Sequence, residues 1–86
     1  MDTILAKSNL LKSTFIKSAP ADKHADGAGL WFIKRPDGGA QWMLRVSLSG
    51  KRREMGLGGF PSVSLKEARV LAADYRKLAK QGIDPI

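Results

Sequence analysis

Six cations sit close together in this sequence: Lys34, Arg35, Arg45, Lys51, Arg52 and Arg53, opposed nearby only by Asp37 and Glu54. Six minus two leaves +4 of the chain's net +7 within about a quarter of its 86 residues. A guanidinium fork can pair bidentately with guanine, and a glutamine amide can do the same with adenine. Cations that meet only phosphate add affinity and carry no sequence information. Gln41, Met43 and Arg45 recur at two-residue steps, so a strand would carry all three on one face. Met43 there would suit a thymine methyl, although a lone surface apolar residue is ordinary. The plain alternative for the cations is a solvated sheet whose charged edge resists strand-to-strand aggregation. Charge of this sign favours a polyanion, with nucleic acid first and an anionic membrane surface second.

Other chemistries find little support. Asp22 and Asp26 flank His24 in one short stretch, with no second cluster to complete a catalytic site. Gly27-Ala28-Gly29 is too short for a dinucleotide fingerprint, and no lysine follows Gly56-Leu57-Gly58-Gly59 in phosphate-loop spacing. With no cysteine and one histidine, a disulfide scaffold, a zinc finger and a thiol nucleophile are excluded. No catalytic residue, metal, cofactor or small-molecule substrate is therefore expected. No apolar run approaches the roughly 20 residues that span a bilayer, and the N-terminus does not read as a signal peptide. A cytoplasmic binding module is the expectation.

The elements that must position these residues follow from periodicity. From Ala40 to Leu48 the even positions are apolar and the odd ones are Gln41, Met43, Arg45 and Ser47, which reads as a strand with one buried face. Pro36-Asp37-Gly38-Gly39 is a turn from a first strand over 30–35, and Ser49-Gly50-Lys51 leads into a third over 52–57. Met55 and Leu57 match the buried face of that strand, Arg52 and Glu54 the wet one. Residues 21–29 read as loop by composition. Ser13 is placed to cap a short N-terminal helical segment with Phe15, Ile16 and Ala19 as apolar contacts, ended by Pro20.

A helix is expected over 64–81, opened by the Ser64–Glu67 capping box. Leu65, Ala68, Leu71, Ala72, Tyr75, Leu78 and Ala79 form its apolar stripe, and Gly82 stands where the chain leaves it. The basic residues Lys66, Arg69, Arg76, Lys77 and Lys80 read as an ordinary polar face. Trp42 alternates with the core and Trp31 against it, while His24 reads as solvated. The resulting fold class is α+β: a three-stranded antiparallel β-sheet packed against a C-terminal α-helix, with a short N-terminal helical segment.

Several motifs together resemble a known family. Ala25-Asp26-Gly27-Ala28-Gly29-Leu30, Pro36-Asp37-Gly38 with Trp42, Gly50-Lys51-Arg52-Arg53 and Leu57-Gly58-Gly59-Phe60-Pro61 are four of them. Ser64-Leu65, Glu67-Ala68-Arg69 and the closing Gln81-Gly82-Ile83-Asp84-Pro85 complete the set. In order and spacing they resemble the N-terminal arm-binding domain of tyrosine recombinases, the integrases of prophages and genomic islands, over about residues 13–86. Residues 1–12 form an extension without an assigned role.

The resemblance implies a fragment whose catalytic domain lies outside the sequence. It also implies a sheet laid in the major groove of arm-type sites during site-specific integration and excision of a mobile element, alongside other integrase subunits on bacterial cytoplasmic DNA. Carried over by position, Gln41, Met43, Arg45 and the Lys51–Arg53 turn fall on the DNA side. Two departures stand out: Lys34 occupies a position that is usually apolar, and Gln41 one that is often basic.

Gln41 and Arg45 are thus the expected base readers, with Lys34, Arg35, Lys51, Arg52 and Arg53 on phosphates. One rival is a protein-interaction module that uses the exposed sheet edge. Another is an RNA-binding domain, for which the wet face offers only Trp31 as a stacking platform. An enzyme is the weakest reading.

Overall fold

The computed structural model describes residues 10–85. Its elements run α1 (Ser13–Lys17), β1 (Asp22–Gly27), β2 (Leu30–Lys34), β3 (Ala40–Leu48), β4 (Lys51–Gly59) and α2 (Leu65–Lys80). The four strands form one antiparallel sheet in the order β1-β2-β3-β4, and α2 packs on one face of it. The α+β class holds, but the sheet has four strands where three were expected. The extra strand is β1, within the stretch read as loop, and β2 ends one residue earlier than expected.

Strand β1 escapes composition because its inward positions are polar. His24 stands opposite Phe32 and shares its face. Its Nε2 lies 2.9 Å from the Pro20 carbonyl oxygen, and its ring meets Phe15 edge-on at 5.1 Å. It is half-buried, not solvated. Asp26, on the same face, is 1% exposed. Its carboxylate accepts two hydrogen bonds from Arg69, at 2.9 and 2.8 Å, and a third from the Leu11 N–H at 2.8 Å. Arg69 also donates to the Leu11 carbonyl at 2.7 Å. A buried carboxylate is tolerable when paired and fully hydrogen-bonded, and this one fastens three separated segments together. Arg76 similarly donates to the Ala28 carbonyl at 3.0 Å, so two of the helix cations serve the fold.

The even positions of β3 form the floor of the core: Ala40, Trp42, Leu44 and Val46 are all buried. Trp42 and Phe32 lie 4.8 Å apart between ring centroids, and Phe60 meets Phe32 edge-on at 5.6 Å. The Trp42 indole donates to the Val63 carbonyl at 2.7 Å, which ties the link between β4 and α2 to the core; the Phe60–Pro61 peptide in that link is cis. Helix α2 covers the floor with Leu65, Ala68 and Ala72 buried, and with Leu71, Tyr75 and Ala79 against it. Both halves of the Ser64–Glu67 capping box are present, and Gly82 follows the helix at φ +79°. In α1 the cap position falls to Lys12, whose side chain makes no cap bond, and Ser13 is the first helical residue. Ile16 and Ala19 are buried there, whereas Phe15 stays partly exposed. The 1–12 extension lies mostly outside the described residues; of its described part, Leu10 N–H donates to the Asp26 carbonyl at 2.9 Å.

Candidate nucleic-acid interface

With α2 on one face, the other face of the sheet stays open, and strand register decides which side chains stand on it. Residues directly opposite in an antiparallel pair share a face. Three rows cross the open side: Lys23–Ile33–Gln41–Gly59, Ala25–Trp31–Met43–Gly56, and Arg45–Glu54. Ser47 and Arg52 form a last pair beyond the end of β2. Ala25, Gly56 and Gly59 keep the rows low, so Trp31, Ile33 and Met43 form a shallow apolar floor between polar ends. A β-bulge between Trp42 and Met43 takes up Leu57 as an extra residue, so that Gly58 stands opposite Trp42 and Gly59 rejoins the open face opposite Gln41.

Each expected site residue has a definite place. Gln41, Met43 and Arg45 stand together on the open face, joined by Arg52. Arg35 lies just past β2 and reaches back to that face, donating to Gln41 Oε1 at 3.1 Å; its Nε is also 3.6 Å from Asp37. The other three stand on the helix side of the sheet by register: Lys34 opposite Ala40, Lys51 opposite Leu48 and Arg53 opposite Val46. Arg53 is bonded there to Asp84 at 3.0 Å. The basic cluster of the sequence is therefore divided between two faces, because consecutive strand residues point opposite ways.

Arg45 is the most constrained cation of the open face. It donates from Nε and Nη2 to the single oxygen Oε2 of Glu54, at 3.1 and 2.8 Å. Its guanidinium also lies 5.7 Å from the Trp31 ring centroid, within cation–π range. Lys23, Trp31 and Glu54 were not among the expected site residues. Lys23 follows once β1 is counted as a strand, while Trp31 was recognisable from its alternation against the core on β2 and Glu54 from its wet-face alternation with Arg52.

Behind the face, Gly29 sets how closely the β1–β2 turn meets β3. Its carbonyl accepts from the Arg45 N–H at 2.8 Å, its φ is +90°, and a Cβ there would collide with the Arg45 carbonyl. No helix among the described residues is long and apolar enough to cross a membrane.

The chain is 38% identical over 61 residues to the integrase of Shigella phage Sf6, covering 71% of this chain and 16% of that protein. To the prophage integrase IntS of Escherichia coli K12 it shows the same identity and coverage. To the prophage integrase IntA of that strain it is 35% identical over 85 residues, covering 92% of this chain and 21% of the relative. The chain thus spans about a sixth to a fifth of the length of these relatives. The family model described as the arm DNA-binding domain matches residues 5–86. A match that leaves out only the first four residues places the chain: it belongs to the arm DNA-binding domain family, and DNA is its partner.

Proposed function

We propose that the open sheet face reads double-stranded DNA in the major groove at arm-type sites. The carrying observation is that one strand, β3, presents Gln41, Met43 and Arg45 to the open side while its alternate residues hold the core. Neighbouring strands are about 4.8 Å apart, so β2, β3 and β4 together span roughly 10 Å. A major groove about 12 Å wide accepts that ribbon with β3 at its centre. Arg45 and Gln41 then meet base edges, and Met43 meets a thymine methyl. Arg35 and Arg52 supply phosphate contacts from the open face, with Lys34 and Lys51 reaching from the sheet's rim, while Arg53 is largely answered by Asp84. In this reading the parent protein is a tyrosine recombinase acting on DNA in the bacterial cytoplasm. The domain holds it, with its fellow subunits, on the sites used for integrating and excising a mobile element.

The test is fluorescence anisotropy with labelled duplexes: DNA flanking the parent gene and a shuffled control, each at two salt concentrations. Tighter binding to the flanking repeats, with affinity falling steeply as salt rises, is the expected result. Equal, weak binding to both duplexes would overturn the sequence-reading role. In that case salt-insensitive self-association would favour an interaction module that uses the edge of β4.

A further inference from the structure

A carboxylate on a surface meant for DNA opposes the phosphates, and Glu54 stands in the middle of the proposed one, half exposed and directly across from Arg45. We infer that Glu54 is a specificity-determining residue, which aims Arg45 at a base edge and withholds it from phosphate. This inference rests on the sheet-face reading above and deepens it.

Stereochemistry carries the first half of the argument. A guanidinium offers two bidentate edges, one from Nε with the nearer Nη and one from the two Nη atoms. Glu54 Oε2 accepts from Nε and Nη2, so it occupies the side edge. The end edge, one N–H from each Nη, remains for the O6 and N7 acceptors of guanine. Trp31 holds the guanidinium from a second direction at 5.7 Å. An arginine fixed at two points arrives with its donors already aimed, so little ordering cost falls on binding.

Charge supplies the second half. A guanidinium compensated by a carboxylate at 2.8 Å presents a much reduced field to phosphate, so Arg45 adds little to binding on random DNA. Because both hydrogen bonds fall on Oε2, the other carboxylate oxygen can accept from a cytosine amino group, the pairing open to glutamate in the major groove. Where a sequence offers guanine and cytosine to the pair, both charges are satisfied. Elsewhere Glu54 faces acceptors and phosphates and is repelled. The preferred site should therefore contain a G·C pair opposite Arg45–Glu54, and other pairs there should be rejected.

The experiment selects binders from a randomised duplex library with the intact domain, in parallel for the unaltered chain, Glu54→Gln and Arg45→Ala. The enriched duplex and a shuffled one are then titrated at several salt concentrations, with the far-ultraviolet circular dichroism of each variant as the folding control. Glu54→Gln keeps the shape and removes the charge. It should tighten binding to shuffled DNA, steepen the log–log salt slope by about one, and cut the preference for the enriched duplex roughly tenfold. The G·C requirement at that position should relax. If Arg45→Ala abolishes the preference while Glu54→Gln leaves preference, slope and base profile unchanged, the role of Glu54 is overturned and the sheet-face reading stands. If the unaltered chain enriches no sequence, the sheet-face reading itself fails and this inference fails with it.

Discussion

Asp26 and Arg69, 43 positions apart, form a two-pronged ion pair beneath the first turn of the sheet, and the pair also grips both backbone groups of Leu11. Among the described residues, strand β1, helix α2 and the N-terminal segment meet nowhere else through so many hydrogen bonds. The hydrogen bonds to Asp26 hold the Arg69 guanidinium above its ordinary pKa, so Arg69 stays charged throughout the range in which DNA can be bound.

Removing one partner should cost much more than removing an exposed pair. Arg69→Ala leaves a carboxylate that is 1% exposed without its counter-charge, and breaking a buried pair in this way typically costs about 3–5 kcal/mol. Arg69 itself is partly exposed, so the lower end, about 3 kcal/mol, is expected in urea denaturation. Asp26→Asn should cost less, because the amide keeps the shape and an acceptor. DNA affinity of the folded fraction should be unchanged in both, since neither residue stands on the open face. A loss below about 1 kcal/mol for Arg69→Ala would mean that water replaces the pair.

Gly29→Ala should be destabilising despite its small size. The backbone there has φ +90°, which an L-residue adopts at a cost of roughly 1–2 kcal/mol, and the new methyl would press on the Arg45 carbonyl. A total of about 2–4 kcal/mol in chemical denaturation is expected. Gly38→Ala provides the control, since its φ is also positive, at +94°, but no atom lies within 4 Å of a Cβ there. Equal losses at the two sites would show that the close approach contributes nothing.

How much of this was legible in the sequence depended on whether a pattern was apolar. Strand β3 announces itself, because Ala40, Trp42, Leu44 and Val46 alternate with polar residues and every one of them is buried. The capping box of α2 is equally readable, since Ser64 and Glu67 need only each other. Strand β1 has the same period with the chemistry inverted. Its inward residues are His24 and Asp26, and what makes them acceptable inside lies far along the chain, at Pro20, Leu11 and Arg69. No local rule finds such partners. The open face was legible in its centre, Gln41, Met43 and Arg45. Its margin was not: Lys51, Arg52 and Arg53 are consecutive, and a strand sends the middle one to the opposite side from its neighbours.

The capping box predicts a pH response of definite sign. Hydrogen bonds from the Ser64 backbone and then from its side chain hold the Glu67 carboxyl below its ordinary value of 4.5. A carboxyl lowered on folding stabilises the fold above its unfolded pKa, and that stabilisation disappears as pH falls through the folded value. Thermal midpoints of the unaltered chain and of Glu67→Ala should therefore differ at pH 6 and converge as pH drops well below 4.5. Ser64→Ala should cost about 1 kcal/mol at neutral pH and keep the larger part of the same pH dependence, because the backbone N–H of residue 64 still donates to the Glu67 carboxylate. Parallel curves for the unaltered chain and Glu67→Ala down to acid pH would refute the box as its source.

Arg52 and Arg53 are neighbours in sequence that should behave differently toward DNA. Register sends Arg52 to the open face beside Ser47, and Arg53 to the helix side, where Asp84 holds it at 3.0 Å. A phosphate contact is worth about 0.9 in the slope of log K against log salt, provided the cation arrives with its charge uncompensated. Arg52→Ala should therefore weaken binding alike on specific and random duplexes and reduce the slope by about one. Arg53→Ala should change the slope by clearly less than that, because Asp84 already answers much of its charge. Asp84→Asn removes that compensation and should steepen the slope of the otherwise unaltered chain. Both are exposed side chains in an ion pair of the kind that contributes at most about 1 kcal/mol to folding, so the comparison is not confounded by stability. If Arg53→Ala costs the larger share, the hairpin meets phosphates from the helix side of the sheet, and the open face is not the only surface turned toward DNA.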